Sequence, residues 1–210
     1  MKGNEIYQTD YSSFTNIHTP SYSIPKFRTA HELLVDRFSI EISRDKKKNR
    51  IELTIGDKVC FVKSHPDLIC DTIVRGLLPK RHGGLESSTV YVLVTDNKFD
   101  FYGIVEIANK KYQMNLDIVL KNTIVKRVFT IHQLAHFFIM DLERDIKKYN
   151  SKLFIITGNF FLSDSQITKE DKDWLYPQMI EAVKKVTDSI LLIFSPVALR
   201  NVINYESRNK

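Results

Sequence analysis

The chain of 210 residues carries a formal net charge of +6 and is 43% hydrophobic and 27% charged. That length suits one domain with a sizeable core, and the composition is typical of a soluble globular protein. No apolar run approaches the roughly 18 to 20 residues that cross a bilayer, and we do not expect the polar start MKGNEIYQTD to be a secretory signal. The sequence therefore predicts no membrane partner.

The first 26 residues are rich in Ser, Thr, Tyr, Asn and Pro and show no periodicity. We interpret residues 1–26 as a flexible tail, followed by one domain over residues 27–210. Thr29 and Glu32 have the spacing of a capping box at a helix start. Alternating residues at 38–43 and 51–55 predict a small hairpin about a basic turn.

From residue 58 the sequence alternates between short hydrophobic runs and amphipathic stretches. This alternation predicts an α/β fold with a mainly parallel sheet flanked by helices, joined by right-handed crossovers. We expect a truncated C-terminal end, because the sequence stops soon after the last hydrophobic run. The predicted strands are 58–62, 89–94, 124–129, 152–157 and 189–194, and the predicted helices are about 66–78, 100–112, 131–149 and 172–187.

A motif lies in the middle of this pattern, within the stretch 77–108. Its residues are Leu78, Pro79, Lys80, Gly83, Gly84, Leu85 and Glu86, a strand, then Thr95, Asp96, Phe99, Asp100, Ile104, Val105 and Ile107. The motif resembles that of the RecA/Rad recombinase paralogue family, with weaker likeness from about Ala30 to about Val197. The resemblance implies a RecA-like core, a role in homologous recombination DNA repair, and a nuclear location.

The nucleotide chemistry that the family uses is missing from the sequence. The expected phosphate loop, G-x-x-x-x-G-K-[ST], is replaced by Lys63, Ser64, His65, Pro66 and Asp67, with no glycine. The resemblance also implies an aspartate after strand 152–157, where Thr157 stands, and a glutamate where Asp96 stands. Phosphoryl transfer depends on these groups. We therefore expect a non-catalytic chain with no cofactor and no metal.

Three other constellations bear on enzymatic chemistry. His132 and His136 have metal-ligand spacing, but Gln133 replaces the glutamate base of a metalloprotease, so packing or surface histidines are favoured. Asp96, Asp100 and Glu106 leave a metal-dependent nuclease as a distant alternative. Cys60 and Cys70 are expected to be buried reduced thiols, because they stand in apolar segments without C-x-x-C spacing.

Recognition is the chemistry that remains. Phe27, Thr29 and Ala30 stand in a Phe-x-x-Ala segment between the tail and the core. The resemblance implies that Phe27 and Ala30 enter apolar pockets of a neighbouring subunit, by extended-strand docking. The alternative is that Phe27 staples its own helix and Thr29 caps it.

Basic pairs along the chain suggest nucleic acid, although such pairs are usually solvated surface. The resemblance implies DNA contacts after the central strands, which points to Arg200, Arg208 and Lys210. We expect a non-catalytic recombinase paralogue that binds a recombinase-family protein or another Rad paralogue, and binds single-stranded DNA weakly or through that complex. A DNA-binding module acting alone and a residual ATPase or nuclease are the alternatives.

Overall fold

A computed structural model describes residues 14–16, 38–44, 47–61, 66–96, 98–158 and 168–194. The strands are β1 (Phe14–Asn16), β2 (Phe38–Arg44), β3 (Lys47–Leu53), β4 (Lys58–Phe61), β5 (Thr89–Val94), β6 (Thr123–Arg127), β7 (Ser151–Thr157) and β8 (Leu191–Phe194). The α-helices are α1 (Pro66–Leu77), α2 (Phe101–Lys110), α3 (Leu116–Asn122), α4 (Ile131–His136), α5 (Leu142–Tyr149) and α6 (Lys169–Thr187). A 3-10 turn spans Lys80–His82, and a π turn spans Phe137–Asp141.

Six strands form one sheet in the order β1-β4-β8-β7-β5-β6. The five strands from β4 to β6 are all parallel, which confirms the predicted α/β fold with a mainly parallel sheet. Strand β1 pairs antiparallel with β4, so residues 14–16 have regular structure although the sequence around them shows no periodicity. Strands β2 and β3 pair with each other, antiparallel, in a separate sheet.

Helices cover both faces of the parallel sheet. Strand β5 shows this directly, because Val90, Val92 and Val94 pack into the core formed with α1, α2 and α3. Tyr91 and Leu93 point the other way, into the core formed with α4, the π turn, α5 and α6. Burial on both faces explains why the strand reads as a continuous hydrophobic run.

Two helical features differ from the predicted elements. The predicted helix 131–149 contains the π turn Phe137–Asp141 in its middle. Helix α3 was not predicted, because seven residues are too few to establish a 3.6-residue period. Its start is nevertheless defined by Asn115, whose side chain accepts a hydrogen bond from the backbone N–H of Asp117.

The glycine-containing motif builds the joint between α1 and β5. The backbone N–H groups of Leu85 and Glu86 donate to the carbonyls of Arg75 (3.1 Å) and Leu78 (2.9 Å). The chain thus folds back on the last turn of α1 before it enters β5. The motif that carries the family resemblance therefore has a structural role in this protein, at the amino end of the strand.

Among the described residues, no helix combines the length and the apolar character needed to cross a bilayer.

Candidate functional site at the carboxyl edge of the sheet

The topology places one switch point between β5 and β7. The connection from β5 runs through α2 and α3 on one face to β6, whereas the connection from β7 runs through α6 on the opposite face to β8. In open α/β sheets, ligands bind outside the carboxyl ends of two such strands. Thr95 and Asp96 follow β5, and Thr157 and Gly158 end β7, so these four residues form the candidate site.

The two strand ends are in direct contact. The carbonyl oxygen of Thr157 accepts hydrogen bonds from the backbone N–H of Thr95 (2.8 Å) and from its Oγ1 (2.9 Å). Gly158 has φ +110°, and a Cβ there would lie 2.4 Å from Thr95 Oγ1 and 2.9 Å from the backbone nitrogen of Asp96. A side chain at this position would clash, so the ends of β5 and β7 are in close contact at Gly158.

Thr157 contributes a buried hydroxyl to this contact between the ends of β5 and β7. Its Oγ1 has no hydrogen-bond partner, which distinguishes it from the other buried polar side-chain atoms in the described ranges. Buried polar groups are ordinarily paired, so an unpaired hydroxyl carries a free-energy cost. A neutral hydroxyl supplies no negative charge for a magnesium ion.

Asp96 is half-buried and is oriented by its own loop. Its Oδ1 accepts a hydrogen bond from the backbone N–H of Lys98 at 3.0 Å. This contact is a local turn of the kind that aspartate forms after a strand. The shorter carboxylate at the expected glutamate position thus supports the loop that follows β5.

The start of α1 has few features of a phosphate site. Helix N-termini bind anions through their free N–H groups and positive dipole end. Here the first helical residue is Pro66, which has no N–H, and the second is Asp67, which carries a negative charge; both are exposed. The preceding positions Lys63, Ser64 and His65 lie outside the described residues.

The remaining acidic candidates have structural partners. Asp100 caps α2, because its Oδ1 accepts from the N–H of Gly103 at 2.8 Å. Glu106 pairs with Lys110 at 2.7 Å on the exposed side of the same helix. Within the described ranges, no group of three or more His, Cys, Asp or Glu residues is arranged to hold a metal ion. The structure does not bring Asp96, Asp100 and Glu106 together into such a group.

Cys70 of α1 lies beside the Asp100 cap. Its Sγ donates to the carbonyl oxygen of Asp100 at 3.5 Å, and its side chain is buried. Burial, followed by the nearby charges of Asp100 and Asp67, raises the pKa of Cys70 to about 12. The thiol therefore stays protonated at neutral pH, which disfavours nucleophilic chemistry. The side chain of Cys60 lies outside the described residues.

His132 and His136 are both exposed and lie one turn apart on α4. Gln133 between them is engaged in capping, since its side-chain oxygen accepts from the backbone N–H groups of Phe129 (2.8 Å) and Thr130 (3.3 Å). The predicted surface role of the two histidines agrees with their exposure.

Exposed aromatic side chains near the carboxyl edge were not singled out from the sequence. Phe101 and Tyr102 open α2, Phe129 follows β6, and Trp174 lies in the first half of α6. Tyr102 is 88% exposed, which is unusual for so large a ring. Their common signal in the sequence is position, because each lies shortly after a hydrophobic strand or early in the helix that follows one.

A charged network on the α5 side of the sheet was also missed. The hydroxyl of Tyr91 donates to Asp145 Oδ2 at 2.9 Å, and Lys126 Nζ lies 2.6 Å from Asp141 Oδ2 in the π turn. Arg144 contacts both carboxylates. The same ammonium of Lys126 lies 4.7 Å from the centre of the Phe137 ring. These contacts hold the edge strand β6 against the interrupted helix.

Several predicted site residues lie outside the described residues. They are the docking positions Phe27, Thr29 and Ala30 and the DNA-contact positions Arg200, Arg208 and Lys210.

No protein-family model matches the chain, and comparison with curated proteins finds no significant match.

Proposed function

We propose that this protein is a non-catalytic member of the RecA/Rad recombinase paralogues, which forms a heteromeric complex and assists homologous recombination. The observation that carries the proposal is the switch point between β5 and β7. It stands where an α/β core binds its ligand, yet it supplies the Thr157 hydroxyl where the family resemblance implies a carboxylate. A binding core without its chemistry fits a role in assembly.

The coarse architecture, rather than the strand order, is what the sheet contributes to this proposal. Numbered along the chain from β4, the parallel strands run 3-2-4-5-1 across the sheet. That order differs from the dinucleotide-binding order 3-2-1-4-5-6 and from the flavodoxin-like order 2-1-3-4-5. Five parallel strands with helices on both faces are consistent with the RecA-type arrangement. In this proposal, residues 38–53 form the small N-terminal hairpin.

The absence of nucleotide binding is the first consequence to test. We expect no heat of binding when ATP with magnesium is titrated into the protein, and no phosphate release. Pro66 has no N–H to donate to a phosphate, Asp67 repels it, and Thr157 has no carboxylate for magnesium. A recombinase ATPase titrated under the same conditions serves as the positive control. Micromolar binding of ATP would overturn the non-catalytic assignment and favour a residual ATPase.

Partner binding is the second consequence. The Phe-x-x-Ala segment supplies an anchoring aromatic, and aromatic anchors dominate most interfaces. Strand β6 offers an acceptor, because in the described part of the chain it pairs with β5 on one side only. An unpaired strand edge is a template for an added strand. Pull-down with recombinase-family proteins, followed by mass spectrometry, tests this role; recovery of none of them would contradict it.

The alternatives differ in what the isolated chain does. A DNA-binding module acting alone would bind single-stranded DNA tightly at physiological salt without a partner. A nuclease of this fold would cleave DNA when magnesium is added. We expect neither result, and DNA binding measured with and without the captured partner distinguishes the three roles.

A further inference from the structure

The amino edge of the parallel sheet collects basic side chains. A helix that returns from the carboxyl end of one parallel strand to the amino end of the next must finish at the amino edge. The last turns of these helices carry Arg75 in α1, Lys110 in α2, Lys121 in α3, Lys147 and Lys148 in α5, and Lys184 and Lys185 in α6. The fold thereby gathers residues that are dispersed in the sequence.

The joints between these elements add to the same edge. Arg81 and His82 are exposed in the 3-10 turn that precedes β5. Lys152 opens β7, and its Nζ lies 3.2 Å from the carbonyl oxygen of Glu86, so its charge stands beside that turn. The Nδ2 of Asn150 donates to Ser88 Oγ at 3.0 Å, which ties the two strand starts together.

Many of the basic residues are neutralised locally. Lys110, Lys147 and Lys184 pair with glutamates one turn earlier, and Lys111 pairs with Asp71. Such pairs are ordinary helix-surface features. The proposal therefore rests on a smaller set, the amino-edge basic surface, composed of Arg81, His82, Lys121, Lys148, Lys152 and Lys185. Of these, Lys185 is close enough to Glu143 to help lower the pKa of that carboxyl, and Lys148 lies over the Tyr149 ring.

The opposite edge carries more acidic than basic residues, although Lys98 and Arg127 are exposed there. Asp67, Glu170 and Asp171 lie in the first turns of α1 and α6, and Asp96 and Asp100 follow β5. Two exposed acidic residues, Glu86 and Asp188, lie at the amino edge among the larger number of cations. Cations thus outnumber acidic residues at the amino edge and not at the carboxyl edge, which favours approach of a polyanion to the amino edge.

The location of the exposed aromatic side chains indicates which kind of nucleic acid the basic surface suits. Proteins that bind single strands stack bases on exposed aromatic rings. In the described part of the chain, the exposed rings are Phe101, Tyr102, Phe129 and Trp174, and they belong to the carboxyl half of the molecule. The amino-edge basic surface has no exposed Phe, Tyr or Trp ring among its described residues, which suits contact with phosphates.

We infer that the amino-edge basic surface binds the sugar-phosphate backbone of double-stranded DNA without reading its sequence. Five parallel strands at roughly 4.8 Å spacing give an edge of about 20 Å, and a duplex presents one charge per about 1.7 Å of its axis. A length of about 20 Å of duplex axis therefore contains about a dozen phosphates, and the surface can contact those on the near side. Backbone contact of this kind has a dissociation constant of about 1 to 100 μM at physiological salt. The inference does not rest on the proposed recombinase role.

The experiment compares two double variants that change net charge equally. Arg81→Glu/Lys148→Glu reverses charges on the amino-edge basic surface, and Lys98→Glu/Arg127→Glu reverses two exposed cations toward the carboxyl edge. All four side chains are exposed, so urea unfolding of both variants is expected to match the parent. Fluorescence anisotropy of a labelled duplex of about 30 base pairs measures its binding to the parent and to each variant, at salt concentrations between about 50 and 200 mM.

We expect the amino-edge variant to bind duplex about tenfold more weakly and to reduce the slope of log K against log salt by about 1.8, for two lost contacts. The carboxyl-edge variant should bind within about twofold of the parent. Equal losses in both variants would overturn the assignment of the surface. Tighter binding of a single strand of the same length would overturn the assignment of double-stranded DNA as the ligand. Binding of polyglutamate without binding of duplex would overturn it too, and would indicate an acidic protein partner. Partner capture and ATP titration test the recombinase proposal separately.

Discussion

A Cβ atom on Gly84 would lie 2.0 Å from the carbonyl oxygen of Leu78, because the chain closes on the end of α1 at this point. The neighbouring hydrogen bond from the N–H of Glu86 to the same oxygen, 2.9 Å long, holds the two segments together. The clash is with backbone, which cannot rotate away as a side chain does.

We therefore predict that Gly84→Ala lowers the free energy of unfolding by about 2 to 3 kcal/mol, the cost of overpacking a closed site. Urea denaturation followed by circular dichroism measures it. Arg81→Ala, an exposed change in the same joint, is the control and should alter stability by less than about 0.5 kcal/mol. Equal stability of the two variants would show that the joint tolerates a side chain.

The two threonines at the switch point should respond oppositely to replacement by valine. Thr157→Val removes a buried hydroxyl without a partner and should leave stability unchanged or raise it by up to about 1 kcal/mol. Thr95→Val removes a 2.9 Å hydrogen bond to the Thr157 carbonyl and should lower stability by about 1 kcal/mol. Urea denaturation of both variants tests this, and a larger loss at Thr157 would mean that its hydroxyl has a role in the fold.

Asp141 is expected to make the free energy of unfolding depend on pH in the acidic range. The hydrogen bond from Lys126 is the main cause that lowers the pKa of Asp141 below its ordinary value of 3.8. A carboxyl whose pKa is lower in the folded state stabilises the fold above its unfolded pKa, and that stabilisation is lost as pH falls through the folded pKa. Asp141→Asn should therefore be less stable than the parent at pH 7, and the difference should shrink below about pH 4.

Unfolding by urea at several pH values measures this difference. A difference of the same size at about pH 3 and pH 7 would show that Asp141 contributes by packing instead. Lys126→Met is the companion variant, since without the ammonium the pKa of Asp141 should rise. Carboxyl-detected nuclear magnetic resonance reports that pKa directly.

The docking segment gives the fourth prediction. Phe27→Glu/Ala30→Glu should abolish or weaken capture of a recombinase-family partner, because a charge in an apolar pocket costs several kcal/mol unless it is paired. Monomer stability should be unchanged. Arg28→Glu alters the charge by the same amount between the two anchors and should retain binding. If the double variant keeps both partner affinity and stability, the interface lies on the core.

Local patterns in the sequence predicted the parallel strands to within about two residues, because each strand reads as a hydrophobic run, most clearly the central strands β5 and β7, whose residues are largely buried. They did not predict the order of those strands, which depends on contacts between distant segments. The closed contact of Gly158 with Thr95 and Asp96 joins residues about 60 positions apart, and nothing local to either segment encodes it. Thr157 was identified through a family resemblance, whereas its unpaired hydroxyl required the fold.

The charged network likewise joins two separate elements of the fold. Lys126 on β6 meets Asp141 only because β6 lies at the sheet edge beside the interrupted helix. The aromatic residues near the carboxyl edge appear as ordinary core residues in the sequence. Their exposure follows from positions near the carboxyl edge, either early in a helix or, for Phe129, in the loop after β6.

The sheet order also sets the order in which the protein is able to fold. Strands β4 and β5 are consecutive in the chain, yet β8 and β7 lie between them, so α1 crosses a gap that later segments must fill. A nascent chain that ends before residue 151 would hold β5 paired with β6 and β4 without a parallel neighbour. Sheets that depend on such distant pairings form slowly, and their hydrophobic edges stay exposed until the later strands have paired. We expect this protein to acquire its core late, after β8 has left the ribosome, and to depend on chaperones until then.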